Sequence, residues 1–495
     1  MQTIRTMLEE STKAYPEHIA LQLGHTILTY RQLQNQVVST VHHLKKQGIT
    51  SGDRVAFLFQ NTIACAVGFL ALAWLHARVV PLEPEITTSE LTTIFHDIPF
   101  SAVIGMPAKL NQFGQFASEH HCASIGLVEW SGPPQAVHLG DEALGAAEDV
   151  FLYHYTSGST GKPKAALHSQ ANLVMGGYIY QQTYHITPAD RMLLPIPLFH
   201  SFGMIGGFVA SLLSGARLVL VERFIPHQLV QMLAEERISL LLAVPLMYDL
   251  LARCALQGVP DLSGLRACLC SGGPLPQETA NRFSHRYHLP IYQVYGSTET
   301  GVIATQWPGE HSWPQGSIGR PVMGVSMRIL DEEGQEVPAE QVGSLLIKTE
   351  TMFMGYLNAP DVMAEILQDG WYITGDMAKQ DAEGNLYLIG RKNTFINVGG
   401  RKVNPLQIEE VLLSHPLVKE ALVYGRETSN ASESIQASVV AVGNSSTEEL
   451  LAFCRERLPA YKVPATIEFV AELPRTSMGK PLRPSSHTAA LEKRT

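Results

Sequence analysis

Residues 155–164, YTSGSTGKPK, close the apolar stretch FLYHY with five hydroxyl side chains, two glycines and two lysines. Gly158 and Gly161 let the backbone turn tightly and approach a ligand. Thr156, Ser157, Ser159 and Thr160 set hydroxyls beside backbone N–H groups, a cradle suited to phosphate oxygens. Lys162 and Lys164 add positive charge. The spacing is not that of a Walker loop, because Gly158 lies only three residues before Gly161 and Pro163 follows Lys162. Read alone, the stretch fits a solvated linker as well as a phosphate grip.

Four later stretches bear on that choice. YGSTETG (295–301) ends a predicted strand, IYQV, where open α/β sheets bind ligands. There Tyr295 offers a flat face and Gly296 and Ser297 a turn. Thr298 adds a hydroxyl and Glu299 a hard oxygen ligand for Mg²⁺. WYITGDMA (371–378) places Asp376 in a glycine turn, able to accept hydrogen bonds from vicinal hydroxyls or to be an ordinary turn aspartate. GRKNTFINVGG (390–400) carries Arg391, Gly399 and Gly400, and LPRTSMGKPLR (473–483) carries Lys480, which alone reads as a solvated tail charge.

Around these motifs the chain alternates between two patterns. Continuous apolar strands (RVAFLF at 54–59, ARLVLV at 216–221, SLLLAVP at 239–245) are interleaved with helical periodicity such as Leu33, Val37, Val41 and Leu44. That order predicts parallel sheets covered on both faces. After about residue 315 the pattern becomes alternating strands with acidic glycine turns, as in an antiparallel subdomain. Residues 393–495 then read helix, strand, strand, helix, strand, with nearly balanced charge, whereas the rest of the chain carries the acidic excess. The expected fold is α/β. A large N-terminal domain (1–392) has layered parallel-rich sheets and a β-barrel-like subdomain, and a small mobile α+β domain (393–495) follows.

The formal net charge of −10 argues against nucleic acid as the main partner. The six cysteines are few and scattered, as in a reducing compartment. The N-terminus lacks the apolar core of a signal peptide. The longest apolar run, Ile63 to Leu75, is shorter than the roughly 20 residues that span a bilayer. A cytoplasmic protein without a transmembrane segment is expected.

Together the five stretches, in this order over nearly the whole chain, resemble the adenylate-forming superfamily of acyl-CoA synthetases, peptide-synthetase adenylation domains and luciferases. The resemblance implies attack of a carboxylate on the α-phosphate of ATP, release of pyrophosphate, then displacement of AMP by a thiol. It implies that the loop from Thr156 to Lys164 holds the β- and γ-phosphates, with Thr156 at its head. It places Thr298 at the α-phosphate and Glu299 on Mg²⁺. Gly272, Gly273 and Pro274 would line the adenine with Tyr295, while Asp376 takes the ribose hydroxyls and Arg391 lies close by. Lys480 would serve adenylation, and Gly399 and Gly400 would form the tunnel for a pantetheine thiol. Asn393 and Thr394 depart from the usual hinge residues, which leaves the hinge salt bridges in doubt.

The acid is read from PIPLFHSFGMIGG (195–207), where His200 matches the position that gates the family's acyl pocket. No acidic residue follows Phe199 until Glu222, which argues against an amino-acid substrate. The uncharged stretch Met204, Ile205, Gly206, Gly207 and Phe208 suggests a medium- or long-chain fatty acid. An aryl acid flanked by Phe202 and Phe208 is the competitor. The thiol partner expected is CoA, with a carrier-protein phosphopantetheine as the alternative. A nucleotide-binding regulator that has lost catalysis is a third reading, opposed by the retained Glu299 and Lys480.

Overall fold

A computed structural model describes residues 2–127, 145–156, 164–256, 258, 260–309, 313–398, 401–427, 433–443, 445–475 and 481–483. Two compact units emerge. The first comprises 1–158, 162–326 and 348–370, and the second 159–161, 327–347 and 371–495.

The first unit holds two large sheets. In the nine-stranded sheet five consecutive parallel pairings link Ile291–Ser297, Ala267–Cys270, Leu240–Ala243, Arg191–Leu194, Arg217–Leu220 and Ile19–Leu23. The seven-stranded sheet runs Gly355–Tyr356, Lys164–Ser169, Val150–Thr156, Arg78–Leu82, Arg54–Leu58, Ala102–Gly105 and Ala123–Gly126. Its last five strands are parallel. The central strands lack a polar face, as parallel strands covered on both sides must: Leu240–Ala243 and Ala267–Cys270 are buried throughout. Helix Ile63–Trp74 fills the interior, with every residue from Ala64 to Trp74 buried. It is a core helix, as its length predicts. No helix among the described residues is long and apolar enough to cross a membrane.

In each sheet an antiparallel reversal falls at a chemistry-bearing motif. Val150–Thr156 turns back into Lys164–Ser169, and Ile291–Ser297 turns back into Gly301–Thr305. These reversals place the loop of the opening stretch and the YGSTETG turn at carboxyl ends of strands.

The second unit begins with the antiparallel-type sheet expected as the barrel-like subdomain. Its main strands are Val325–Leu330, Gly343–Thr349, Trp371–Gln380 and Leu386–Arg391. The stretch 385–404 divides between two pairings. Leu386–Arg391 pairs back with Trp371–Gln380, and a short 3₁₀ turn at Lys392–Thr394 precedes a separate hairpin, Ile396–Val398 with Arg401–Val403. Beyond it, strands Val418–Glu427, Glu433–Ala441 and Thr466–Phe469 form a sheet covered by helices Pro405–Leu413 and Thr447–Arg457. Ile408, Leu412, Val423, Val439 and Leu450 make its core. This is the α+β unit read from the sequence.

Candidate active site

The YGSTETG turn is built by close approach. A Cβ on Gly296 would lie 2.3 Å from the Gly301 carbonyl oxygen, so only glycine closes this hairpin. Ser297 and Thr300 hydroxyls meet at 3.1 Å inside it, and Thr351 donates to the Thr300 carbonyl at 2.6 Å. Glu299 is thereby turned inward and is only 9% exposed. Its carboxylate accepts from the Tyr356 hydroxyl at 2.5 Å, and its carbonyl accepts from Phe353 N–H at 2.7 Å. Tyr356 was not signalled by the sequence reading. Its only local cue is Gly355-Tyr356, an unremarkable pair in a stretch with no other motif.

Burying a carboxylate costs several kcal/mol unless it is paired or hydrogen-bonded. A neutral phenol meets that need while leaving the charge available. Among the described residues no group of three or more His, Cys, Asp or Glu could hold a metal ion. A lone carboxylate does suit Mg²⁺, which is commonly held by one or two carboxylates together with substrate phosphates and water.

Gly272, Gly273 and Pro274 follow strand Ala267–Cys270, and Tyr295 lies at the end of the adjacent parallel strand, with Cys270 opposite Gln293. The glycines are exposed, and a Cβ on Gly273 would meet nothing within 4 Å. The structure thus brings the two proposed adenine-lining motifs side by side at an open edge. Lys164, at the exit of the opening loop, sets its ammonium 5.6 Å from the Tyr356 ring. Residues 157–163, which include Ser157, Gly158, Ser159, Thr160, Gly161 and Lys162, lie outside the described residues, as do Gly399, Gly400 and Lys480.

Behind the Glu299 turn lies a histidine cluster that the sequence reading anticipated only at His200. The register pairs His154 with Ala166 and Leu152 with His168, which puts both imidazoles on one face of the strand pair. Burial lowers the His154 pKa to about 3, helped by His168 and His200. Burial also lowers His168 to about 4, against an opposing hydrogen bond to the Thr298 backbone. His200 keeps part of its surface open, yet enough protein surrounds its ring to lower its pKa to about 4. All three are neutral near pH 7.

His200 leads into residues Phe202–Val209, which wind as a π-helix. The glycines expected to line a pocket face protein instead. A Cβ on Gly206 would lie 2.8 Å from the Tyr180 ring, one on Gly207 2.8 Å from Leu194, and one on Gly176 2.6 Å from Ile205. Tyr180 in turn faces Phe202, with ring centroids 6.2 Å apart.

In the second unit, Asp376 sits within strand Trp371–Gln380 and not in a turn. Ser344 pairs with Met377 but Leu346 with Ile373, so Thr374–Asp376 form a bulge, and Gly375 takes φ +76° there. Asp376 faces Arg391 on the neighbouring strand and accepts from its Nε at 3.0 Å. Asp376 is 9% exposed and the Arg391 side chain 46%.

The model of the AMP-binding enzyme family matches residues 8–357, and that of the AMP-binding enzyme C-terminal domain matches 407–480. The chain belongs to the AMP-binding enzymes, the adenylate-forming acid–thiol ligases. It is 31% identical to a feruloyl-CoA synthase of Amycolatopsis over 94% of this chain and 95% of that one. It is also 31% identical to an indoleacetate–CoA ligase of Aromatoleum aromaticum, over 94% of each chain. The O-succinylbenzoate coenzyme A synthetase of Bacillus subtilis in complex with AMP superposes with a TM-score of 0.85, at 28% identity and 97% coverage of both chains.

Proposed function

We propose that this enzyme activates an aryl-bearing carboxylic acid through its acyl-adenylate and transfers the acyl group to CoA. The carboxylate oxygen attacks the α-phosphorus of ATP and pyrophosphate leaves. The CoA sulfur then attacks the acyl carbon, the bond to AMP breaks, and the thiol proton is released. Negative charge develops on oxygen in both steps, so preorganised cations and N–H donors carry the catalysis. In this reading the loop from Thr156 to Lys164 holds the outer phosphates and Thr298 contacts the α-phosphate. Gly272, Gly273, Pro274 and Tyr295 line the base, and Asp376 and Arg391 serve the ribose. Lys480 assists adenylation, and Gly399 and Gly400 line the thiol tunnel. Glu299 would hold Mg²⁺, whose chemistry is to neutralise phosphate charge as it shifts. A boundary near residue 392 between the adenylation core and the lysine-bearing domain belongs to the same reading.

The structural observation that supports the choice of acid is the Tyr180 ring, packed against Gly206 and facing Phe202. The glycines of the uncharged stretch are taken up by close packing against Tyr180 and Leu194 rather than left to open an alkyl channel, and the rings of Tyr180 and Phe202 stand beside them. Aromatic walls favour flat rings by offset or edge contacts, about 0.5–1.5 kcal/mol beyond area burial. The names of the relatives, feruloyl-CoA synthase and indoleacetate–CoA ligase, support an aryl acid over a fatty acid and CoA over a carrier protein. The test is a panel of cinnamic, arylacetic, benzoic and C8–C16 fatty acids with ATP, Mg²⁺ and either CoA or a holo carrier protein, reading AMP and acyl-thioester. Aryl acids should exceed fatty acids in kcat/KM by about tenfold or more, equivalent to about 1.4 kcal/mol. Fatty acids matching or exceeding the aryl acids would overturn the choice of acid. Acylation of the carrier but not of CoA would overturn the acceptor.

A further inference from the structure

We propose that Tyr356 positions Glu299 for its metal ion and ties that carboxylate to the strand leaving the phosphate loop; this rests on the reading of Glu299 as the Mg²⁺ ligand. The segment 353–357 grips Glu299 at two points. Phe353 N–H binds its carbonyl at 2.7 Å and the Tyr356 hydroxyl binds its Oε1 at 2.5 Å. With main chain and carboxylate both fixed, the side chain between them has few rotamers left.

The same segment is laced to strand Lys164–Ser169. Gly355 pairs with Leu167 and Tyr356 with Ala166. Met354 N–H donates to the Leu167 carbonyl at 2.8 Å and Leu357 N–H to the Ala165 carbonyl at 3.0 Å. Gly355 has φ +128°, a conformation that presents Tyr356 towards Glu299 and that side-chain-bearing residues rarely adopt. The Phe353 ring packs edge-on to the Tyr356 ring at 4.9 Å, and the Lys164 ammonium lies over its face. One ring therefore touches both the carboxylate and the lysine that ends YTSGSTGKPK. A phenol holds Oε1 without cancelling its charge, which a lysine or arginine in its place would do. Groups that orient metal-binding carboxylates through hydrogen bonds typically contribute about 10–100-fold in metal affinity.

The experiment compares wild type, Tyr356→Phe and Glu299→Gln. Mn²⁺ binding is read by loss of the free-ion EPR signal, with a non-hydrolysable ATP analogue present, and unfolding midpoints check the fold. Tyr356→Phe should weaken Mn²⁺ about 10–100-fold. It should leave metal-free nucleotide binding unchanged and recover turnover as Mg²⁺ is raised, a rescue that a merely structural defect would not allow. Unchanged Mn²⁺ affinity in Tyr356→Phe with loss in Glu299→Gln would overturn the role of Tyr356 alone. Unchanged affinity in both would overturn the reading of Glu299. If Tyr356→Phe does not fold, Tyr356→His replaces it: its shorter side chain cannot keep the same reach to Oε1, so wild-type Mn²⁺ affinity there overturns the proposal and weakened affinity supports it.

Discussion

Glu299 in the first unit and Asp376 in the second are buried to the same degree, yet opposite partners hold them. Glu299 is held by a neutral phenol and Asp376 by a guanidinium. A carboxylate held by a phenol keeps its charge and can serve a cation. One paired with arginine is largely neutralised, and its remaining capacity is for hydrogen-bond donors such as hydroxyls. The two motifs look alike in sequence, each a short acid-bearing turn beside a glycine. What separates their chemistry is the residue that tertiary structure sets opposite each acid.

The sharpest way to break this comparison is to remove the charge at Glu299. Glu299→Gln keeps the shape and should lower kcat for pyrophosphate release about 10²–10³-fold. A loss under threefold would mean that the buried charge at Glu299 is not used.

Acid separates the two units next. A histidine in the unfolded chain takes up its proton near 6.5, whereas folded His154 does so near 3 and His168 and His200 near 4. Between those values the unfolded state binds more protons, so the stability these groups confer is full above pH 6.5 and drains away towards pH 4. Glu409 in the second unit behaves oppositely. Burial raises its pKa despite the nearby Arg483, so its contribution is present at low pH and is lost as pH rises through its folded value. Hydrogen exchange, corrected for intrinsic rates, should show Val150–Thr156 and Lys164–Ser169 losing protection on going from pH 6.5 to 4, while Pro405–Leu413 keeps its own. Equal losses in both units would contradict the neutral histidine cluster.

The smallest expected effect is at Asp376. Asp376→Asn should raise KM for ATP about tenfold, roughly 1.4 kcal/mol, with less change in kcat. It should also narrow the preference for ATP over 2′-deoxy-ATP. Because Arg391 is nearly half exposed, losing this ion pair should cost stability little, within about 1 kcal/mol. An unchanged preference between the two nucleotides would remove Asp376 from ribose recognition.

Much of this was legible in the chain itself. The parallel strands declared themselves because burial on both faces requires continuous apolar runs such as RVAFL and SLLLA. Ile63–Trp74 reads as interior for the same reason. The hairpin of YGSTETG and the family-bearing motifs are local, so their order along the chain was enough to name the chemistry. Other features depend on distance in space. Tyr356 lies 57 residues from Glu299, and no period or spacing links them. His154 and His168 become neighbours only through strand register, and a one-residue slip would send them to opposite faces. The bulge at Thr374–Asp376 cannot be told from a turn until its partner strand is in place. Gly206 and Gly207 read as pocket lining until Tyr180 and Leu194 are seen against them.

The sequence by itself thus determined the sheets and the family, because apolar periodicity and contiguous motifs are properties of neighbours in the chain. Tertiary structure alone decided which donor faces each acid, which imidazoles stay neutral and which side chains pack against Gly206 and Gly207. Those properties follow from desolvation and hydrogen bonding between residues far apart in sequence.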